Sequence, residues 1–116
     1  MLEYIPEHLD FDVEFEPTKV DDKKYVINRN TGDYIGIVGN GFTCANHGDF
    51  FRNVMDTTTE ALSSHDMEGA IVNWRSAHKD GWAMMDVTLP NVTARIATDK
   101  HETTLMKRII ALHGVN

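Results

Sequence analysis

The sequence predicts an α+β domain: one main helix packed on a curved, mostly antiparallel sheet, with an acidic strand or arm at the N-terminal edge. Three patterns lead there. Two pairs of β-prone runs are each joined by a turn signal, one stretch carries helical periodicity, and no strand-helix-strand alternation follows the first unit. A chain of 116 residues that is 41% hydrophobic and 25% charged can build one core without disulfides and has no room for a second domain. The expected division is an acidic arm over residues 1–23 and a single α+β body over residues 24–116.

In the arm, Leu9, Phe11, Val13 and Phe15 alternate with Asp10, Asp12, Glu14 and Glu16, the period of a strand with one acidic face, and Pro17 ends it. Like charges along one face repel a neighbouring strand, so the segment belongs at a sheet edge or folded over the body. Lys24 to Asn28 and Tyr34 to Val38 then form a hairpin, because Arg29-Asn30-Thr31-Gly32-Asp33 supplies the Asn and Gly that positive φ requires. Gly39-Asn40-Gly41 closes the second strand.

A helix is expected from near Asn46 to Leu62, with Asn46 as N-cap and Asp49 as the acid of a capping box. Phe50, Phe51, Val54, Met55, Thr58 and Leu62 recur at helical spacing, while Thr57-Thr58-Thr59 weakens the helix through restricted side-chain rotamers. Ser63 to Glu68 reads as polar loop.

From Gly69 the period changes to two. Ala70 to Ala77 and Trp82 to Leu89 alternate around His78-Lys79-Asp80-Gly81, the clearest hairpin in the chain. Pro90-Asn91 breaks the second strand, Val92 to Ala97 restarts it, and Thr98 to Glu102 turns the chain again. Thr103 to Leu112 fits either a helix face or a buried strand, and strand is preferred because Ile109-Ile110 sits in a continuous apolar run.

The net charge of −7 argues against a phosphate-backbone binder, but its placement matters more. Residues 1–24 hold Glu3, Glu7, Asp10, Asp12, Glu14, Glu16, Asp21 and Asp22 against Lys19, Lys23 and Lys24, so −5 of the −7 lies there and the rest is nearly neutral. The late strands carry Trp74, Arg75, Lys79, Trp82 and Arg95, an aromatic and basic set that could stack unpaired bases if it shared one face. The bland alternative is that both tryptophans are core or interface residues.

No convergent catalytic set or cofactor motif stands out. Gly39-Asn40-Gly41-Phe42-Thr43-Cys44 lies between a strand and a helix, as a dinucleotide fingerprint would, but Cys44 replaces its third glycine and no acid ends a second parallel strand. Cys44 followed by His47 near a helix start is an activated-thiol geometry only if the thiol pKa is lowered, and a buried structural cysteine is the simpler reading. His8, His47, His65, His78, His101 and His113 are scattered without zinc-helix spacing; His47 with Asp49, and His65 with Asp66 and Glu68, are the local clusters that a small metal-dependent hydrolase would need. No metal and no cofactor is expected. One cysteine, no signal-like start and no long apolar run point to the cytoplasm and away from membranes.

The run Asn30-Thr31-Gly32-Asp33-Tyr34-Ile35-Gly36-Ile37-Val38-Gly39, with Phe42, Asn46, Asp49 and Phe50 after it, resembles the phage- and plasmid-borne proteins that carry the domain of unknown function nine-three-two. In that family an acid-Thr-Gly turn leads into a Leu-Gly-Val-Val-Gly strand, a Tyr, a Gln-Asn pair and an acid-x-Phe helix start; here Phe42 stands for the Tyr and Ala45 for the Gln. The resemblance covers about Lys24 to Leu112, corresponds to the N-terminal part of a longer domain, and implies a mobile-element origin without supplying catalytic residues.

The leading expectation is therefore a non-enzymatic phage- or plasmid-encoded binding protein of the bacterial cytoplasm. Through Asp10, Asp12, Glu14, Glu16, Asp21 and Asp22 it would engage a basic surface on a bacterial or phage protein of nucleic-acid metabolism or host defence, as an inhibitor or nucleic-acid mimic. The alternatives are an oligomeric single-stranded nucleic-acid binding or annealing module using Trp74, Arg75, Lys79, Trp82 and Arg95, and the small metal-dependent hydrolase. Self-association is expected under either leading reading, since a free edge strand favours it.

Overall fold

A computed structural model describes residues 4–116. The class is α+β, as expected, but the strands form two antiparallel three-stranded sheets instead of one. The first contains β1 (Val13–Pro17), β2 (Lys23–Asn28) and β3 (Tyr34–Gly39) in the order β1-β2-β3. After α1 (His47–Ala61) and the short α2 (Ser64–Met67), the second contains β4 (Ile71–Ala77), β5 (Trp82–Ala97) and β6 (Glu102–Gly114) in the order β4-β5-β6.

The acidic segment is an edge strand, since β1 pairs only with β2, with Glu14 opposite Ile27 and Glu16 opposite Tyr25. It is shorter than the alternation suggested, because Glu7–Leu9 form a 3-10 turn. Nor is it a detachable arm: Ile5, Leu9 and Phe11 are buried in the core, and the expected boundary at residue 23 falls on the first residue of β2. The hairpin that follows is built as its sequence suggests. Asn28 Oδ1 accepts from the Asn30 and Thr31 amides, and Gly32 takes φ +78°.

Helix α1 begins after Asn46, yet Asn46 does not cap it. Its side chain is drawn across to the acidic strand, accepting from the Val13 amide at 3.1 Å and donating to Asp12 Oδ1 at 3.1 Å, so a tertiary tie has displaced the local one. The capping box forms instead at α2, where Ser63 and Asp66 bond each other's backbone amides within the stretch read as loop.

Pro90 does not end β5 either. The strand runs on to Ala97 and absorbs Pro90-Asn91-Val92 as a bulge, since Leu89 faces Lys107 while Thr93 faces Met106. Thr103 to Leu112 is strand throughout, within β6. These two long strands carry the hairpin well beyond the rest of the chain, which accounts for dimensions of 65 × 29 × 22 Å.

Two hydrophobic clusters follow. Phe51 and Met55 of α1 press on Ala83, Met85, Val87 and Leu89 of β5, with Leu9 beside them. Phe11, Val26, Ile35 and Val115 form the second cluster against the first sheet. Gly81 lies where the sheets approach. Its φ is not in the left-handed region, but a Cβ there would collide with Ile35 Cγ2, so glycine is required for space; the left-handed residues of that turn are His78, Lys79 and Asp80.

Two substitutions test this packing by urea unfolding. Phe51→Ala removes a fully buried ring and is expected to cost about 3–5 kcal/mol. Gly81→Ala is expected to cost about 1–3 kcal/mol by forcing Ile35 away.

Candidate functional site

The most unusual polar group in the fold is His47, fully buried in the first turn of α1. Its Nε2 lies 2.7 Å from the Asp80 carbonyl oxygen in the β4–β5 turn, and its Nδ1 lies 2.9 Å from Nδ1 of His113 on β6. A carbonyl only accepts, so His47 donates through Nε2–H; in the neutral forms that burial favours, its Nδ1 then accepts from His113 Nδ1–H. Phe11 and Phe51 pack around His47, and Phe50 stacks on His113 with centroids 4.4 Å apart. Burial lowers the pKa of His47, although the Asp80 carbonyl opposes the shift; burial and the neighbouring His47 lower that of His113.

This pair is built for cohesion. Both nitrogens of His47 are engaged, which leaves it no free lone pair for general-base work. Cys44 is three residues away in sequence, but its half-buried thiol points toward the Val115 carbonyl at 3.9 Å, and burial raises its pKa instead of lowering it. The glycine turn at Gly39 to Gly41 is bridged by Lys24, whose Nζ donates to the carbonyls of Asn40 and Phe42 at 3.1 and 2.7 Å. In the other local cluster Asp66 is used as a cap and the His65 carbonyl accepts from Asn91. Among the described residues, no three His, Cys, Asp or Glu side chains converge as metal ligands.

Of the acidic residues only Glu14 and Glu16 lie on β1, where alternation puts them on one face; Asp10 and Asp12 precede the strand, and the chain's own side chains meet several of the four. Arg52 pairs with Asp10 at 2.5 Å, Arg29 lies 3.9 Å from Asp12 and 3.3 Å from Glu14, and the Tyr34 hydroxyl donates to Glu16 at 3.2 Å. Asp21 and Asp22 sit in the exposed turn before β2, where their backbone carbonyls bond Asn40. Glu3 lies outside the described residues. Opposite the acids, Phe15 remains 41% exposed, with Lys24 Nζ 3.8 Å above its ring and Phe42 at its edge.

The aromatic and basic set of the late strands is divided. Trp74 faces α1, edge-on to Phe51 at 5.0 Å, whereas Arg75 and Trp82 belong by strand alternation to the opposite face. Lys79 is in the β4–β5 turn, and Arg95 is far out on the hairpin, paired with Glu102. The outer face has a different focus. Asp86, nearly buried, accepts from Arg108 Nε at 2.7 Å and from a second guanidinium nitrogen, and these bonds hold its carboxyl below the usual range. Ile71, Ile110 and Leu112 lie exposed around that ion pair. Asp86 could have been suspected from a lone acid amid Met84, Met85, Val87 and Leu89; no sequence spacing links it to Arg108, or His47 to His113.

No family model, curated protein or solved structure matches this chain. Among the described residues, no helix is long and apolar enough to cross a membrane.

The histidine pair generates a pH dependence of known sign. The unfolded chain binds protons at both imidazoles below about pH 6.5, while the folded chain resists them. Stability contributed by the neutral pair is complete above that pH and falls as the solution is acidified through it, by up to about 1.4 kcal/mol per pH unit for His47 alone. Urea midpoints measured from pH 7.5 to pH 5 are expected to fall. In His113→Phe the slope is shallower, because one of the two groups is gone.

Proposed function

We propose that this chain is a non-enzymatic binding protein of phage or plasmid origin, which uses the acidic edge of its first sheet to engage a basic surface on a protein of nucleic-acid metabolism or host defence. The observation that carries the reading is the placement of Glu14 and Glu16 on an edge strand whose outer backbone groups have no neighbouring strand, with Asp10 and Asp12 in the segment that leads into it. A partner can therefore meet both a row of carboxylates and a free strand edge. Arg29 and Arg52 partly neutralise the row, but at 61% and 48% side-chain exposure these are surface pairs, of the kind that contribute about 0–1 kcal/mol and yield to a better-placed cation. The mobile-element origin rests on the resemblance at residues 30–51, which here form the β2–β3 turn, β3 and the start of α1.

The geometry supports single-stranded nucleic-acid binding less well, because Trp74 faces the helix and Arg95 is remote from Trp82. Self-association accompanies the leading reading, since both sheets present open edges.

Charge reversal tests the acidic edge without truncating a segment that supplies Leu9 and Phe11 to the core. The triple variant Asp12→Lys, Glu14→Lys, Glu16→Lys is expected to retain its fold by circular dichroism. It should lose bacterial-lysate partners that wild type retains at low salt and releases at high salt. Equal, salt-insensitive capture by both proteins would reject the acidic edge. Binding of a single-stranded oligonucleotide by wild type, lost in Trp82→Ala, would establish the nucleic-acid reading instead.

A further inference from the structure

The open edges of the two sheets are unequal. β1 has five residues and a row of acids that would repel its own copy, β3 has six and β4 seven, whereas β6 has thirteen. β6 has no proline and no bulged residue of its own to guard its edge, only the charges of Glu102, Lys107 and Arg108. Its hairpin carries Ile96, Leu105, Met106, Ile110 and Leu112, each about half exposed. A shallow groove of about 230 Å³ lined by Val92, Ala94, Leu105 and Lys107 adjoins the outer half of the strand.

We propose that β6 pairs antiparallel with β6 of a second copy, about a two-fold axis at Leu105, joining two three-stranded sheets into one of six strands. This inference rests on the self-association part of the reading above and is independent of the acidic edge. Charge complementarity selects both the occupant and the register. A two-fold axis perpendicular to the sheet keeps corresponding faces together, so it must pass through a residue position of the strand. With Leu105 on the axis, Glu102 faces Arg108 of the other copy twice over, Thr103 faces Lys107, and Thr104 faces Met106. Moving the axis to Thr104 sets Arg108 against Lys100; moving it to Met106 sets Glu102 against Ile110; moving it to Lys107 sets the two lysines face to face. The Leu105 register alone among these sets opposite charges against each other, and such facing pairs favour strand pairing while like charges oppose it. Arg108 reaches Asp86 through Nε and Nη2, which leaves Nη1 for the facing Glu102, whose pair with Arg95 of its own hairpin is exposed on both sides and of the surface kind that contributes about 0–1 kcal/mol.

Cross-linking tests the register directly in a Cys44→Ala background. Opposed Cα atoms at the axis lie about 4.5–5.5 Å apart, within disulfide reach. Leu105→Cys is therefore expected to give a covalent dimer under mild oxidation. Thr103→Cys and Lys107→Cys alone should not, because each lies about 14 Å from its own copy, but a mixture of the two should cross-link. Ile37→Cys, comparably exposed on the first sheet, is the control for random collision. In sedimentation, wild type should be dimeric and Leu105→Lys about tenfold or more weaker, with an unchanged circular dichroism spectrum. A dimer in which Leu105→Cys fails to cross-link overturns the β6 contact while leaving self-association standing. A monomer at every concentration overturns both, including the case in which the hairpin captures some other protein.

Discussion

The fold depends on the imidazole of His47, a fully buried polar ring at the point where α1, the β4–β5 turn and the end of β6 meet. A buried polar group with no partner would cost several kcal/mol, of order 2–7, so its two nitrogens determine what may surround it. One needs an acceptor and finds the Asp80 carbonyl; the other needs a donor and finds His113. The β4–β5 turn presents that carbonyl through three successive left-handed residues, a conformation that none of His78, Lys79 and Asp80 favours by itself. Asp80 also accepts from Ser76 at 2.7 Å, which helps to fix the turn.

The same junction joins the two sheets. His47 touches Phe11 on one side and Phe51 on the other, so it lies between the two hydrophobic clusters. The chain after β6 completes the seam: the Val115 amide donates to the Gly81 carbonyl at 2.9 Å, and Asn116 donates to the Ile35 carbonyl at 3.2 Å. With the seam closed, the inner half of the β5–β6 hairpin is anchored beneath α1 while the outer half projects. Two strands alone make a marginal structure in water, so the outer half, with Ile96, Leu105 and Met106 about half exposed, is the least supported part of the fold.

Charge is organised around these contacts in two ways. On the first sheet, exposed carboxylates meet exposed arginines at the surface, where water screens both and exchange with an outside cation is easy. On the second, Asp86 is sunk among apolar neighbours and keeps its charge through two bonds from a single guanidinium. The first arrangement leaves the carboxylates in contact with water, and the second ties β5 to β6 beside their backbone ladder.

The sequence by itself determined the elements whose signals are local. The Asn-Thr-Gly turn needs positive φ at Gly32, the amphipathic spacing of Phe51, Met55 and Thr58 requires one helix, and the alternation in Val13 to Glu16 requires a strand whose acids keep it at an edge. Each rests on residues a few positions apart, where backbone geometry and side-chain period are enough. Tertiary structure decided the rest, because those choices compare partners distant in sequence. Asn46 leaves its helix amides for Val13 and Asp12, Pro90 is carried inside β5 because β6 holds both flanks, and the strands divide into two sheets that meet at Gly81. The strand position of Glu14 and Glu16 was legible from their period, whereas that of Asp10 and Asp12 ahead of β1, and the separation of Trp74 from Trp82, required the tertiary structure. His47 with His113, 66 positions apart, carried no signal until folding removed the water from both.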